Sequence, residues 1–208
     1  MEFNVAYLML MLLAFNIVGS THASDPDIIS DFVLPPGQNP ANVDGNFFTF
    51  TGLRQVGSNN LTWQSNVKVT KASMAEFPAL TGLSVSMAVL QFPAGGVNPP
   101  HTHPRASELL YLMSGSLEVG VVDTTGKLFT QTLYAGDLFV FPAGLVHFQL
   151  NKDYKNYAFA VSGFGSANAG TVSLPSTLFT SGISSDVLAM SFKTDAKTID
   201  MLKASLKA

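Results

Sequence analysis

Three groups able to bind a cation, His101, His103 and Glu108, fall within eight residues of "NPPHTHPRASELL". A further imidazole, His147, sits in "FPAGLVHFQLN". The chain has four histidines, and the other one, His22, lies in an N-terminal segment with the marks of a removable leader. Every histidine kept after that removal therefore belongs to one of two short stretches. Imidazole nitrogen together with carboxylate oxygen suits Mn, Fe, Ni or Zn, and the affinity order alone would favour Zn over Mn. Three imidazoles and one carboxylate leave two positions of an octahedron for water or substrate, which points to a reactive ion over a purely structural one.

The elements that would position these groups are strands. Residues two apart on a strand share a face, so His101 and His103 can both enter one interior. Glu108 has the wrong parity for that face on an unbroken strand. Pro104 interrupts any ladder, however, and a chain that turns there brings Glu108 back inward at the start of the next strand. After the apolar stretch 138–141, Pro142-Ala143-Gly144 makes a tight turn that leads into His147. Phe139, Phe141 and Phe148 are expected as core residues lining the interior.

Around these stretches the chain is poor in charge. Of 208 residues, 47% are apolar and only 12% charged, about half the usual share, which excludes a disordered chain. A net charge of −3 supplies no basic footprint for nucleic acid. The apolar run over residues 5–19 is too short to span a bilayer comfortably. Followed by Thr21-His22-Ala23, with small residues at −3 and −1, it reads as a secretory signal over residues 1–23, although Glu2 is unusual in its first part. Secretion would make Asn60, in "NLT", a glycosylation acceptor. It also makes the absence of cysteine notable, since such a chain could use disulfides and must instead rely on core, metal or subunit contacts.

Residues 24–46, rich in Pro, Asp and Asn, read as an extended N-terminal arm, and residues 47–208 as the main domain. From Phe47 to Gly163, short apolar runs beginning with "FFTFTGL" are punctuated by Gly, Pro, Asn or Asp, as in an all-β sandwich or barrel. "MSGSL" and "DTTGK" look like hairpin turns. The C-terminal part predicts two or three short helices, clearest over 185–190 and 195–207. Their apolar stripe would bury against the barrel or a neighbouring subunit.

These motifs resemble the cupin superfamily, and within it the plant germins and germin-like proteins. Gly95, His101, His103, Glu108 and Gly115 meet every spacing of the first cupin motif; Gly136, Pro142, Gly144, His147 and Asn151 meet the second. The resemblance extends over the whole chain, including "SDPDIISDF" after the leader. It implies a cupin jelly-roll β-barrel with a C-terminal α-helical region, and a homohexamer built as a trimer of dimers. It also implies manganese at the three-His, one-Glu site, N-glycosylation, and secretion to the plant cell-wall space (apoplast).

Two departures from the germin pattern bear on this reading. The usual cysteines are replaced by Val33 and, near the second position, Phe48, which predicts an arm held by apolar packing of residues such as Phe32, Val33 and Phe47. Of the two asparagines that hold the dicarboxylate in oxalate-oxidising germins, Asn98 is kept and Ala88 replaces the other, which disfavours oxalate oxidation. The leading implied activity is superoxide dismutation, with a role in defence or stress. A non-enzymatic wall or nutrient-reservoir protein is the alternative. Arg105 is the one cation beside the motif, expected in a surface or interface salt bridge or else at the entrance, attracting small anions.

Overall fold

The computed structural model describes residues 25–54, 56 and 66–206. The expected leader over residues 1–23 and the expected glycosylation acceptor Asn60 lie outside the described residues. Ten strands run in chain order: β1 (Lys68–Ala72), β2 (Ser86–Phe92), β3 (Val97–Thr102), β4 (Glu108–Ser114), β5 (Ser116–Val122), β6 (Leu128–Tyr134), β7 (Leu138–Phe141), β8 (Val146–Leu150), β9 (Ala158–Phe164) and β10 (Val172–Ser173). They form two antiparallel five-stranded sheets, ordered β1-β2-β9-β4-β7 and β10-β3-β8-β5-β6, in a jelly-roll arrangement. Alternation decides which residues face inward. Along β4 Leu110 and Leu112 are fully buried while Leu109 and Tyr111 are exposed; along β5 Leu117, Val119 and Val121 turn in. With Phe92, Phe141 and Leu133 these residues make one continuous core between the sheets.

The two expected hairpins separate. "DTTGK" does join the paired strands β5 and β6, with Asp123 Oδ1 accepting from the amides of Thr125 and Lys127. "MSGSL" does not make a hairpin: β4 pairs with β7 and β9, whereas β5 pairs with β6 and β8. The turn at Gly115 therefore crosses from one sheet to the other. Its φ of 81° is left-handed, and a Cβ there would lie 2.5 Å from the Tyr157 carbonyl oxygen, so only glycine fits.

Two further expectations are corrected. "FFTFTGL" is not a strand. Phe47, Thr49 and Arg54 donate to carbonyls three residues back, and among the described residues no strand pairs with the segment. Phe148 does not line the interior. It has the opposite parity to the buried His147 and Gln149, and its ring covers Gly120 on the outer face. Phe139 and Phe141 do face the core.

Three helices complete the chain: α1 (Leu174–Phe179), α2 (Ser185–Phe192) and α3 (Ala196–Ser205). Ser184 and Asp195 cap the last two by accepting from Val187 and Thr198 amides. Leu188, Ala189 and Ile199 bury together in a small separate core. The other apolar face of this region, including Met190 and Met201, is exposed, as are Leu109, Tyr111, Leu138 and Val140 on the outer face of the first sheet.

The arm is held by rings and by one carboxylate. Phe32, Phe47 and Phe48 form a cluster with centroids 4.9–5.8 Å apart, half-buried except for the exposed Phe48. Asp25 accepts from Ser166 Oγ at 2.5 Å and from the Ala167 amide at 2.7 Å. Hydrogen bonds to a charged acceptor are worth roughly 1.5–3 kcal/mol each at most. Asp25→Ala should therefore leave the barrel folded while limited proteolysis cuts the segment before residue 54 several-fold faster than in the wild type. Equal cutting rates would show that the ring cluster alone retains the arm.

Candidate metal centre

Three strands drawn from both sheets meet at one end of the core. His101 is near the end of β3 and His103 follows just past it; Glu108 opens β4, and His147 is the second residue of β8. His101 and His147 are direct register partners across β3 and β8, after an irregularity between Asn98 and His101. The break at Pro104 does what parity requires. Glu108 enters at the inward position next above Leu110, with a 2% exposure that matches the three imidazoles at 1–6%. Donor atoms of all four residues lie within 4.8 Å of one another. An ion about 2.0–2.2 Å from each ligand holds donors up to about 4.4 Å apart, so slight contraction suffices.

Backbone carbonyls fix each ring. Nδ1 of His101 faces the Pro99 oxygen at 2.8 Å, that of His103 the Gly170 oxygen at 2.7 Å, and that of His147 the Leu145 oxygen at 2.9 Å. A carbonyl only accepts, so each Nδ1 carries the proton and each Nε2 presents a lone pair. The turn before β8 is tied to the site by the Gly144 amide, which donates to the His103 carbonyl at 2.9 Å. Gly144 has φ 77°, a conformation that a residue with a side chain adopts only with strain.

The other side of two rings is the informative one. Glu108 Oε2 lies 3.0 Å from His103 Nε2 and 3.3 Å from His147 Nε2. Both rings thus face an acceptor at each nitrogen, and a neutral imidazole has only one N–H to give. A positive charge between the Nε2 atoms and the carboxylate satisfies the whole group at once. The walls are aromatic: Phe141 stacks on His147 at 4.4 Å and Phe164 meets His103 edge-on at 4.9 Å. In such surroundings an unpaired carboxylate would be costly.

The titration behaviour follows from this packing. Burial, reinforced by the neighbouring His147, lowers the pKa of His101 to about 4, so its ring is a neutral donor at neutral pH. For Glu108, burial alone would raise the pKa. The hydrogen bond from Ser162 and the positive charge that the Nε2 atoms of His103 and His147 share with the carboxylate, here carried by a proton, outweigh it and bring the value to about 2.

Several contributors were not legible as site residues. Ser162 Oγ donates to Glu108 Oε1 at 2.6 Å, fixing the carboxylate; the only sequence signal is one polar residue at the inward parity of Ala158 and Ala160. Asn98 Nδ2 donates to Gln149 Oε1 at 2.7 Å, so a fully buried glutamine orients the expected pocket residue. A cavity of ≈ 390 Å³ opens beside the site, lined by His101, His103, Glu108, Asn98 and Ala88 among others. Among the described residues of this chain Arg105 makes no salt bridge. Its Nε and Nη2 donate to the carbonyl and side-chain oxygens of Asn168, steadying the loop whose Gly170 carbonyl holds His103.

Residues 57–200 match the cupin family model. Germin-like protein 9-3 of Oryza sativa subsp. japonica is 53% identical, over 99% of this chain and 97% of its own length. Putative germin-like protein 9-2 of the same species is 55% identical, over 96% and 94%. Among solved structures, an oxalate oxidase aligns with a TM-score of 0.78 at 34% identity, covering 87% of this chain and 97% of that one. An oxalate oxidase bound to the substrate analogue glycolate aligns with a TM-score of 0.79 at 33% identity, with the same coverage.

The pKa of His101 makes the metal-free protein sensitive to acid. The unfolded ring titrates near 6.5 and the folded one near 4, so the unfolded state binds more protons between those values. His101's contribution is complete above about pH 6.5 and is lost as pH falls toward 4, amounting to roughly 3 kcal/mol. Glu108 acts in the same direction at lower pH, its contribution being lost as pH falls from 4.5 through 2. Denaturant unfolding of metal-free protein should show this decline, flattened between pH 6.5 and 4 in His101→Gln. A wild-type profile that is level over this range would contradict the assignment.

Proposed function

Since this chain belongs to the cupin family as a germin-like protein, we propose that it is a secreted manganese protein of the plant cell-wall space that dismutates superoxide. In this reading His101, His103, Glu108 and His147 are the ligands, and the double facing of acceptors on His103 and His147 is the observation that carries it. A bound manganese ion would supply the one-electron redox chemistry by which two superoxide ions and two protons become one dioxygen and one hydrogen peroxide. The chain's own part is to hold and to exclude. Three carbonyls keep the Nε2 lone pairs aimed inward, and Ser162 keeps Glu108 from rotating away. Phe141 and Phe164 keep bulk water from the ring faces. Asn98 has one amide hydrogen on Gln149 and a second available to a ligand in the cavity.

Manganese rests on the germin likeness, because this donor set also suits iron, nickel and zinc. Oxalate oxidation, the activity named for the oxalate oxidases of similar fold, is disfavoured by Ala88. It sits in the cavity wall and offers a dicarboxylate only a methyl group; a lost hydrogen bond there is worth on the order of 1–3 kcal/mol.

Secretion and a role in defence or stress follow from the leader over residues 1–23 and the germin likeness, with a glycan on Asn60. Among the described residues no helix is long and apolar enough to cross a membrane. The assembly is a homohexamer, a trimer of dimers, supported by the unpartnered apolar surfaces. Leu109 with Val140, and Tyr111 with Leu138, are cross-strand pairs left exposed on the first sheet, and the helices expose Met190 and Met201.

One preparation tests the reading. Protein purified from its own source should contain about one manganese per subunit, run at six subunits by light scattering, and scavenge superoxide. His101→Ala and His147→Ala should each lower metal content and activity by tenfold or more. Full activity in either variant would reject a metal-centred mechanism. Peroxide release from oxalate would put oxalate oxidation in its place, and a loaded, folded, inactive protein would make it a non-enzymatic wall or nutrient-reservoir protein.

A further inference from the structure

With Arg105 tied to Asn168, a different cation faces the cavity. Lys71 lies on the edge strand β1, whose register with β2 pairs Val69 with Leu90 and Lys71 with Ala88. Direct partners across an antiparallel pair project to the same face. Ala88 and Leu90 belong to the interior, so Lys71 is directed to that side as well. Val69, Lys71 and Ser73 accordingly line the same cavity as His101, His103 and Glu108.

Two features leave the ammonium group available. Among the described residues no hydrogen bond or ion pair takes it up. Glu76 also lines the cavity and senses the lysine's charge, yet its Oε2 is held by the Ser73 amide at 3.0 Å and hydroxyl at 2.5 Å. The register partner is also small. Ala88 offers a methyl group where a larger polar side chain would crowd the lysine stem and compete for a ligand.

We propose that Lys71 is a specificity-determining residue of the cavity, recruiting a small anion and orienting it between its ammonium group and the His101–His103–Glu108–His147 centre. The inference rests on the reading of that centre as a metal site and gives its substrate class, a small anion such as superoxide. Lys71 is exposed at the open side of the cavity, where a single positive charge raises local anion concentration and loses its effect as salt screens it.

Azide serves as the probe. Manganese-loaded wild type, K71Q and K71R are first matched for metal content and thermal unfolding, then titrated with azide and followed by Mn(II) electron paramagnetic resonance. K71Q should bind azide about three- to tenfold more weakly, with a flatter salt dependence, while K71R stays within about twofold of wild type. Equal affinity and equal salt dependence in wild type and K71Q would overturn the role of Lys71 and leave the metal reading standing. Loaded wild type that takes no azide would overturn it too. Wild type that retains no metal would instead remove the reading on which the proposal depends.

Discussion

Four electron-rich groups crowd into an apolar cage, and this crowding governs everything around it. The Glu108 carboxylate is almost fully buried, and His103 and His147 each present it with a nitrogen while holding a carbonyl on the opposite side. No arrangement of neutral tautomers satisfies all of these acceptors. The group is coherent only around a shared positive charge, and three imidazoles with one carboxylate are what a first-row transition metal ion takes.

The rest of the barrel keeps that group from relaxing. The donors come from both sheets, so the sheets cannot slide past each other without pulling the site apart. Rigid backbone carbonyls hold the rings, and the carbonyl holding His103 belongs to a loop that Arg105 and Asp25 both secure. Beneath the site Leu110, Leu112, Phe92 and Val119 make an apolar core, and the buried Gln149, the register partner of Val119, is the polar group on β8 that reaches Asn98.

Much of this was legible in the residues because the site is built from local rules. The parity of His101 and His103, the break that Pro104 forces and the turn before His147 each act over a few positions, and the strands obey them. The failures came from partners distant in sequence. Gly115 looked like a hairpin because a glycine between strands says nothing about which sheet each strand joins. Residues 47–53 had the composition of a strand but turn back on themselves and pair with no strand among the described residues, and Phe148 looked like core until its parity with His147 was set. Arg105 was adjacent to the motif in sequence, whereas Lys71 is adjacent in space through the β1–β2 register. Ser162 and Gln149 carried little signal beyond a polar residue at an inward position, because each matters only through the residue it touches.

X-ray absorption at the metal edge of the purified protein tests the central claim most directly, since it sees the ligands regardless of activity. The account predicts a first shell of nitrogen and oxygen atoms with the outer-shell scattering of three imidazoles, reduced to two in the fraction of His147→Ala that retains metal. A bound ion whose spectrum lacks imidazole scattering, or is unchanged by that substitution, would contradict it.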